Sequence, residues 1–156
     1  MHGDKTVTAV AAGGLHSACL HRDGTVSTWG ANDEYALGRG EIDEDDTHLI
    51  KAMRIKDAVQ ISAGDNHTTV LDIHGKVHVS GMYKDMDSGK WRDLMNPQDT
   101  NIKGCHKFPH QVLGLRRKIM AIDAGNSWNA ALCDDSSTLY TWGMGNSGQL
   151  ARSKSM

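Results

Sequence analysis

Ala12-Gly13-Gly14-Leu15-His16-Ser17-Ala18-Cys19-Leu20-His21-Arg22-Asp23-Gly24-Thr25-Val26-Ser27-Thr28-Trp29-Gly30 is the stretch that decides the fold, because the chain writes it three times. The second copy opens at Ala63-Gly64 and closes at Ser80-Gly81; the third opens at Ala124-Gly125 and closes at Trp142-Gly143. The opening glycines lie 51 and 61 residues apart, while opening and closing glycines within a copy are 17, 17 and 18 apart. Two anchors held in register three times define a repeat, with copies over residues 10–39, 61–89 and 122–152.

Each copy has a physical reading. A polar triplet follows the Ala-Gly and ends in His16, His67 or Trp128. An apolar stretch comes next, then a turn signal: Asp23-Gly24, His74-Gly75, and the looser Asp134-Asp135-Ser136-Ser137. Asp-Gly between apolar stretches predicts a β-hairpin, with glycine accepting the positive φ of a primed turn. The returning strand alternates, with Val26 and Thr28 against Ser27 and Trp29, and Val77 and Val79 against His78 and Ser80. A lone hairpin is marginal in water, so repeated hairpins must bury their faces on one another. Radial stacking solves this for repeats of this size; a β-solenoid would repeat at a shorter interval. The expectation is an all-β chain, a β-propeller arc of three blades, forming a single partial propeller over residues 1–156.

Bulk properties agree. The chain has 156 residues, with 38% hydrophobic and 23% charged, as a globular chain has. Seventeen glycines and two prolines suit many short strands joined by tight turns. A net charge of −2 argues against a free-standing nucleic-acid binder. The odd set Cys19, Cys105 and Cys133 argues against a disulfide framework and for a reducing compartment. Neither a signal-peptide pattern nor a membrane-spanning apolar run is present, so the reading is of a soluble intracellular protein.

Between the copies lie an acidic stretch, 41–46, read as solvated surface, and a long polar insertion, about 82–112. Cys105, His106 and His110 gather donors without a second ligand pair, and no metal or other cofactor is expected. Arg116-Arg117-Lys118 is a short basic cluster, either solvated or facing an acidic partner or nucleic acid. The sequence displays no nucleophile–base motif and no phosphate-cradling glycine loop, so covalent catalysis is not expected.

Ala-Gly-x-x-His, apolar strand, Asp-Gly, apolar strand, Trp-Gly, then Asn-x-x-Gly-x-Leu-Gly resembles the repeat of the regulator of chromosome condensation family. It stands here from Gly13 to Gly38 and, with a changed ending at Asn146, Gly148, Gln149 and Leu150, in the third copy. Kelch repeats have a similar length, but their paired glycines recur in each copy, whereas Gly13-Gly14 occurs once. The resemblance is nearest to the branch of the family that exchanges guanine nucleotide on the small GTPase Ran. It rests there on Asn32-Asp33-Glu34 with Ala36-Leu37-Gly38-Arg39, on Ser62-Ala63-Gly64-Asp65 with His67-Thr68, and on Gly81 followed by Tyr83-Lys84-Asp85.

That likeness implies a protruding β-wedge just past Gly81 and a GTPase-contacting set: Asp65, His67, Met82, Tyr83, Lys84, Asp85, Met86, Asp87, Ser88, Gly89 and Ser127. It implies Ran as partner, histones or DNA through the wider propeller, and a nuclear, chromatin-associated setting, without membrane contact. Three departures stand beside it. Ser127 occupies the place of a second functional aspartate, next to Trp128 where histidine is usual; Ser80 stands before Gly81 where tryptophan is usual; and a family ring of about seven blades at this repeat length needs about 360–430 residues. The open edges of an arc invite self-association. Two functions therefore stay open: exchange on Ran, or a non-catalytic propeller interaction module.

Overall fold

The computed structural model describes residues 3–32, 34–41, 44–84, 91–93 and 107–151. They form three antiparallel sheets in succession, an arc of three propeller blades, with one single-turn helix, α1 (Glu44–Thr47), between the third and fourth strands of the first. The first blade orders β1 (Val7–Ala12), β2 (His16–His21), β3 (Val26–Gly30) and β4 (Lys51–Ala52). The second orders β5 (Ala58–Ala63), β6 (His67–Asp72) and β7 (Val77–Lys84), and β7 pairs both β8 (Trp91–Asp93) and β9 (His110–Gln111). The third holds β10 (Ile119–Ala124), β11 (Trp128–Cys133) and β12 (Leu139–Gly143).

The predicted hairpins are present, but their turns are longer than a primed two-residue loop. Leu20↔Val26 and Leu71↔Val77 are the last cross-strand pairs of their hairpins. Gly24 N–H donates to His21 O at 2.9 Å, and only Gly24 of that loop has a positive φ, 77°. Asp23 serves through its carboxylate instead, Oδ1 accepting from the Thr25 N–H at 3.0 Å. This is a turn followed by a left-handed glycine, the next most common hairpin solution. The third copy puts Ser136, φ 54°, where the others have glycine.

Blades bury their faces pairwise. Ala18, Leu20, Val26 and Met53 of the first blade pack on Ala58, Ile61 and Val70 of the second. Leu71, Val77, Val79 and Val112 of the second pack on Ile119, Ile122, Ala131, Cys133 and Trp142 of the third. The side chains alternate because successive residues of a strand point to opposite faces. The innermost strands adjoin in succession, β1 against β5 and β5 against β10, and Gln60 bridges the second pair. Its side chain donates to Ile122 O at 2.8 Å and accepts from Ile122 N–H at 3.0 Å.

Close blade-to-blade approach explains the Ala-Gly anchor. A Cβ on Gly64 would collide with the His67 imidazole and sit 2.6 Å from Gly125 O of the next blade. Gly13 meets His16 and Gly64 O in the same way. The glycine is therefore a requirement of space between blades.

Candidate functional site

The loops after the innermost strands come together at one end of the arc. Asp65 N–H donates to Asn126 O at 2.8 Å, as Gly14 N–H does to Gly64 O at 3.3 Å one blade earlier. The Asp65 carboxylate also accepts from the Asn126 side-chain amide. Ser127 Oγ donates in turn to Asn126 Oδ1 at 2.6 Å. Asp65 is half-buried and Asn126 exposed, so the pair is open to a partner at this end. Gly14, at the position equivalent to Asp65, lies against it and leaves the carboxylate room.

The strand β7 continues three residues past Gly81 and pairs antiparallel with β8: Met82↔Asp93, Tyr83↔Arg92 and Lys84↔Trp91. Its root is tied to the Asp65 loop, because Met82 N–H donates to Asn66 O at 3.0 Å. The continuation is thus a β-hairpin rising from the same end of the second blade as Asp65. Asp85, Met86, Asp87, Ser88 and Gly89 lie outside the described residues, as do Asp33, Cys105, His106 and Arg152. The long insertion read over 82–112 begins and ends in ordered strand, at β7 and β9.

Three members of the expected contact set are buried. His67 is 0% exposed, Met82 7% and Ser127 8%. His67 has no surface to offer a partner; its work is between blades. Its Nε2 lies 3.3 Å from Asn129 Oδ1 on the third blade, and Thr69 Oγ1 donates to the same oxygen at 2.7 Å. His16 repeats the arrangement, with Nε2 at 2.9 Å from Thr68 Oγ1, whose own proton goes to Ala36 O at 2.8 Å. In each case the imidazole reaches the residue that follows its own counterpart in the next blade, Thr68 after His67 and Asn129 after Trp128. Burial drives the His67 pKa down to about 4, against the Asn129 hydrogen bond and helped by nearby His16. Burial also lowers His16, against the Asp65 carbonyl and charge.

The structure holds one pairing that the sequence did not disclose. Ser27 Oγ lies 2.8 Å from His21 Nε2, with Cys19 Sγ 3.6 Å from the same nitrogen and Lys5 O 3.0 Å from Nδ1. All three side chains are buried, at 9%, 9% and 6% exposure. The equivalent positions of the second blade hold Asp72 and His78, with His78 Nε2 2.9 Å from Asp72 Oδ2. Burial opposes the Asp72 charge, but hydrogen bonds from His78, Lys76 N–H and His74 N–H outweigh it and hold the carboxyl below its usual range. The place is a cross-strand polar pair built into the blade, without access for a substrate. The two described cysteines, Cys19 and Cys133, are buried free thiols.

Comparison with known proteins fits this geometry. Two sequence patterns, each described as "Regulator of chromosome condensation (RCC1) repeat", match residues 23–71 and 7–35. Regulator of chromosome condensation of Xenopus laevis is 35% identical over 147 residues, 94% of this chain and 32% of that protein. Human HERC3, described as a probable E3 ubiquitin-protein ligase, is 34% identical over 143 residues, 90% of this chain and 13% of that protein. The chain thus spans about a third of the length of the regulator it matches. Among solved structures, human WBSCR16 superposes with a TM-score of 0.74 at 22% identity, over 96% of this chain and 37% of its own. Prp20p of Saccharomyces cerevisiae, studied for its binding to Gsp1p and histones, superposes at 0.68 and 23% identity, over 92% and 34%. These structural likenesses speak for the propeller fold.

Proposed function

The chain carries regulator of chromosome condensation repeats, and on that premise we propose that it forms the GTPase-facing part of a guanine nucleotide exchange factor for Ran. The observation that carries this reading is the shared origin of two features at one end of the second blade. The half-buried Asp65 carboxylate and the β7–β8 hairpin are joined through the Met82–Asn66 hydrogen bond. An exchange factor makes and breaks no covalent bond. It lowers the free energy of the nucleotide-free GTPase relative to the loaded one, which is differential affinity. In this reading residues 1–156 act as one unit. The hairpin, with residues 82–90, presses on the phosphate-binding side of Ran, and Asp65 competes for the cationic groups that hold the phosphates. His67 and Ser127 belong to the support of Asp65, since both are buried.

The setting that follows is nuclear and chromatin-associated, with histones as further partners. Sequence similarity to the Xenopus laevis regulator supports it. A second reading, a propeller interaction module without exchange activity, draws support from the similarity to HERC3 and from Ser127 in place of an acid.

The test is affinity. The chain is titrated against Ran stripped of nucleotide and against Ran loaded with GDP. The exchange reading predicts at least tenfold tighter binding to stripped Ran. Equal affinity for both forms, or binding to neither, contradicts it.

A further inference from the structure

At the opposite end of the second blade a pocket of about 260 Å³ opens between the β6–β7 turn and the segment leading into β10. The strand β6 separates it from Asp65: six residues run from His67 beside the Asp65 loop to Asp72 at the turn. Extended chain of that length covers about 17 Å. The pocket is lined by His74, Lys76, Gln111, Arg116, Arg117 and Lys118, together with turn backbone, and no carboxylate lines it.

Its cations are placed by the fold. Lys118 lies across Gly75, whose φ is +77°; a Cβ there would fall on the Lys118 stem and 3.0 Å from Ile119 O. Gly75 O accepts from Ile119 N–H at 3.0 Å, which clamps the turn to the start of the third blade. Arg117 is held at 2.7 Å by Asp135. Among the described residues no carboxylate pairs with Lys76, Arg116 or Lys118. Of the neighbouring acids, Asp72 is committed: it accepts from His74 N–H, Lys76 N–H and His78. Asp134 is exposed, with its backbone N–H donating to Lys118 O at 3.0 Å. Three unpaired cations around one concavity, in a chain whose formal charge is −2, are a local field of one sign.

We infer that this pocket is a binding site for a polyphosphate group. Its size admits two linked phosphates, and arginine with lysines from two segments can surround their oxygens with charge-assisted hydrogen bonds. The group can arrive as inorganic pyrophosphate or as the diphosphate of a nucleotide. The site stands apart from the Asp65 end, so it does not depend on the exchange reading.

The experiment is calorimetric titration of the 156-residue chain with pyrophosphate and, separately, with ADP. Amide signals are followed by NMR in the unsubstituted protein. Expected are saturable one-to-one binding of pyrophosphate, competition by ADP, and shifts confined to residues 73–76 and 111–118. Arg116→Ala with Lys118→Ala weakens binding on the order of tenfold or more, whereas Lys51→Ala with Lys56→Ala leaves it unchanged. Non-saturable binding, shifts scattered over the surface, or equal losses in both double variants overturns the site. ADP competing better than pyrophosphate assigns a nucleotide; equal competition assigns the phosphates alone; failure of ADP to compete overturns the nucleotide source.

Discussion

His67 Nε2 lies 3.3 Å from Asn129 Oδ1, one blade on, and both side chains are wholly buried. With Nε2 as donor, Nδ1 is a lone pair without a partner among the described residues. A proton there would put a charge into the seam between two blades.

The seam is therefore acid-sensitive. His67 is neutral in the fold, with a pKa of about 4, against an ordinary 6.5 in the unfolded chain. Between those values the unfolded chain binds more protons, so stability is full above about pH 6.5 and falls as pH drops towards 4. The loss over that window is about 3 kcal/mol. His16 is lowered too and acts in the same direction. Urea unfolding midpoints measured from pH 7 to pH 4.5 should decline steadily; a flat profile would contradict the neutral buried imidazole.

Two glycines separate space from backbone conformation. Gly64→Ala forces a methyl against the His67 ring and Gly125 O, and should destabilise by about 3 kcal/mol. Gly148→Ala meets nothing within 4 Å, yet its φ is +82°, so it should cost only about 1 kcal/mol. Thermal unfolding of the two variants should rank them in that order.

The innermost strands differ in what covers them. Val10, Ile61 and Ile122 are equivalent by repeat register, but Val10 is 76% exposed while Ile61 and Ile122 are 7% and 5%. In this chain Val10→Ser should change stability by less than about 0.5 kcal/mol. Ile122→Ala, in the seam between blades two and three, should cost about 2–4 kcal/mol. Denaturant midpoints compare them directly; equal effects would mean that the Val10 face is covered in solution.

The hairpins were readable because each apolar stretch, turn and Trp-Gly corner sits in adjacent sequence. The innermost strands were not. Each carries a register irregularity, at Val7/Ala9, Ala58/Gln60 and Ile119/Ala121, which breaks the two-residue alternation at the strand start. The copies therefore read as starting at residues 10, 61 and 122, three residues late. Asp65 is an acid where the other copies have Gly14 and Asn126, a difference visible in the sequence itself. The resemblance implies a partner surface for His67, whereas its recurrence as His16 reads as a strand-start hydrogen-bonding position, and its bond to Asn129 lies between blades. The Ser27–His21 pair was hidden because its members face each other only after the hairpin closes. The Asp72–His78 pair at the same positions held the clue.

The most direct measurement is release of a fluorescent guanine nucleotide from Ran on addition of this chain, beside its Asp65→Ala variant. The exchange account predicts accelerated release by the unsubstituted chain and a loss of on the order of tenfold or more in the variant, the effect of removing one charged contact. Release that stays at the intrinsic rate, or acceleration that survives Asp65→Ala undiminished, would contradict it.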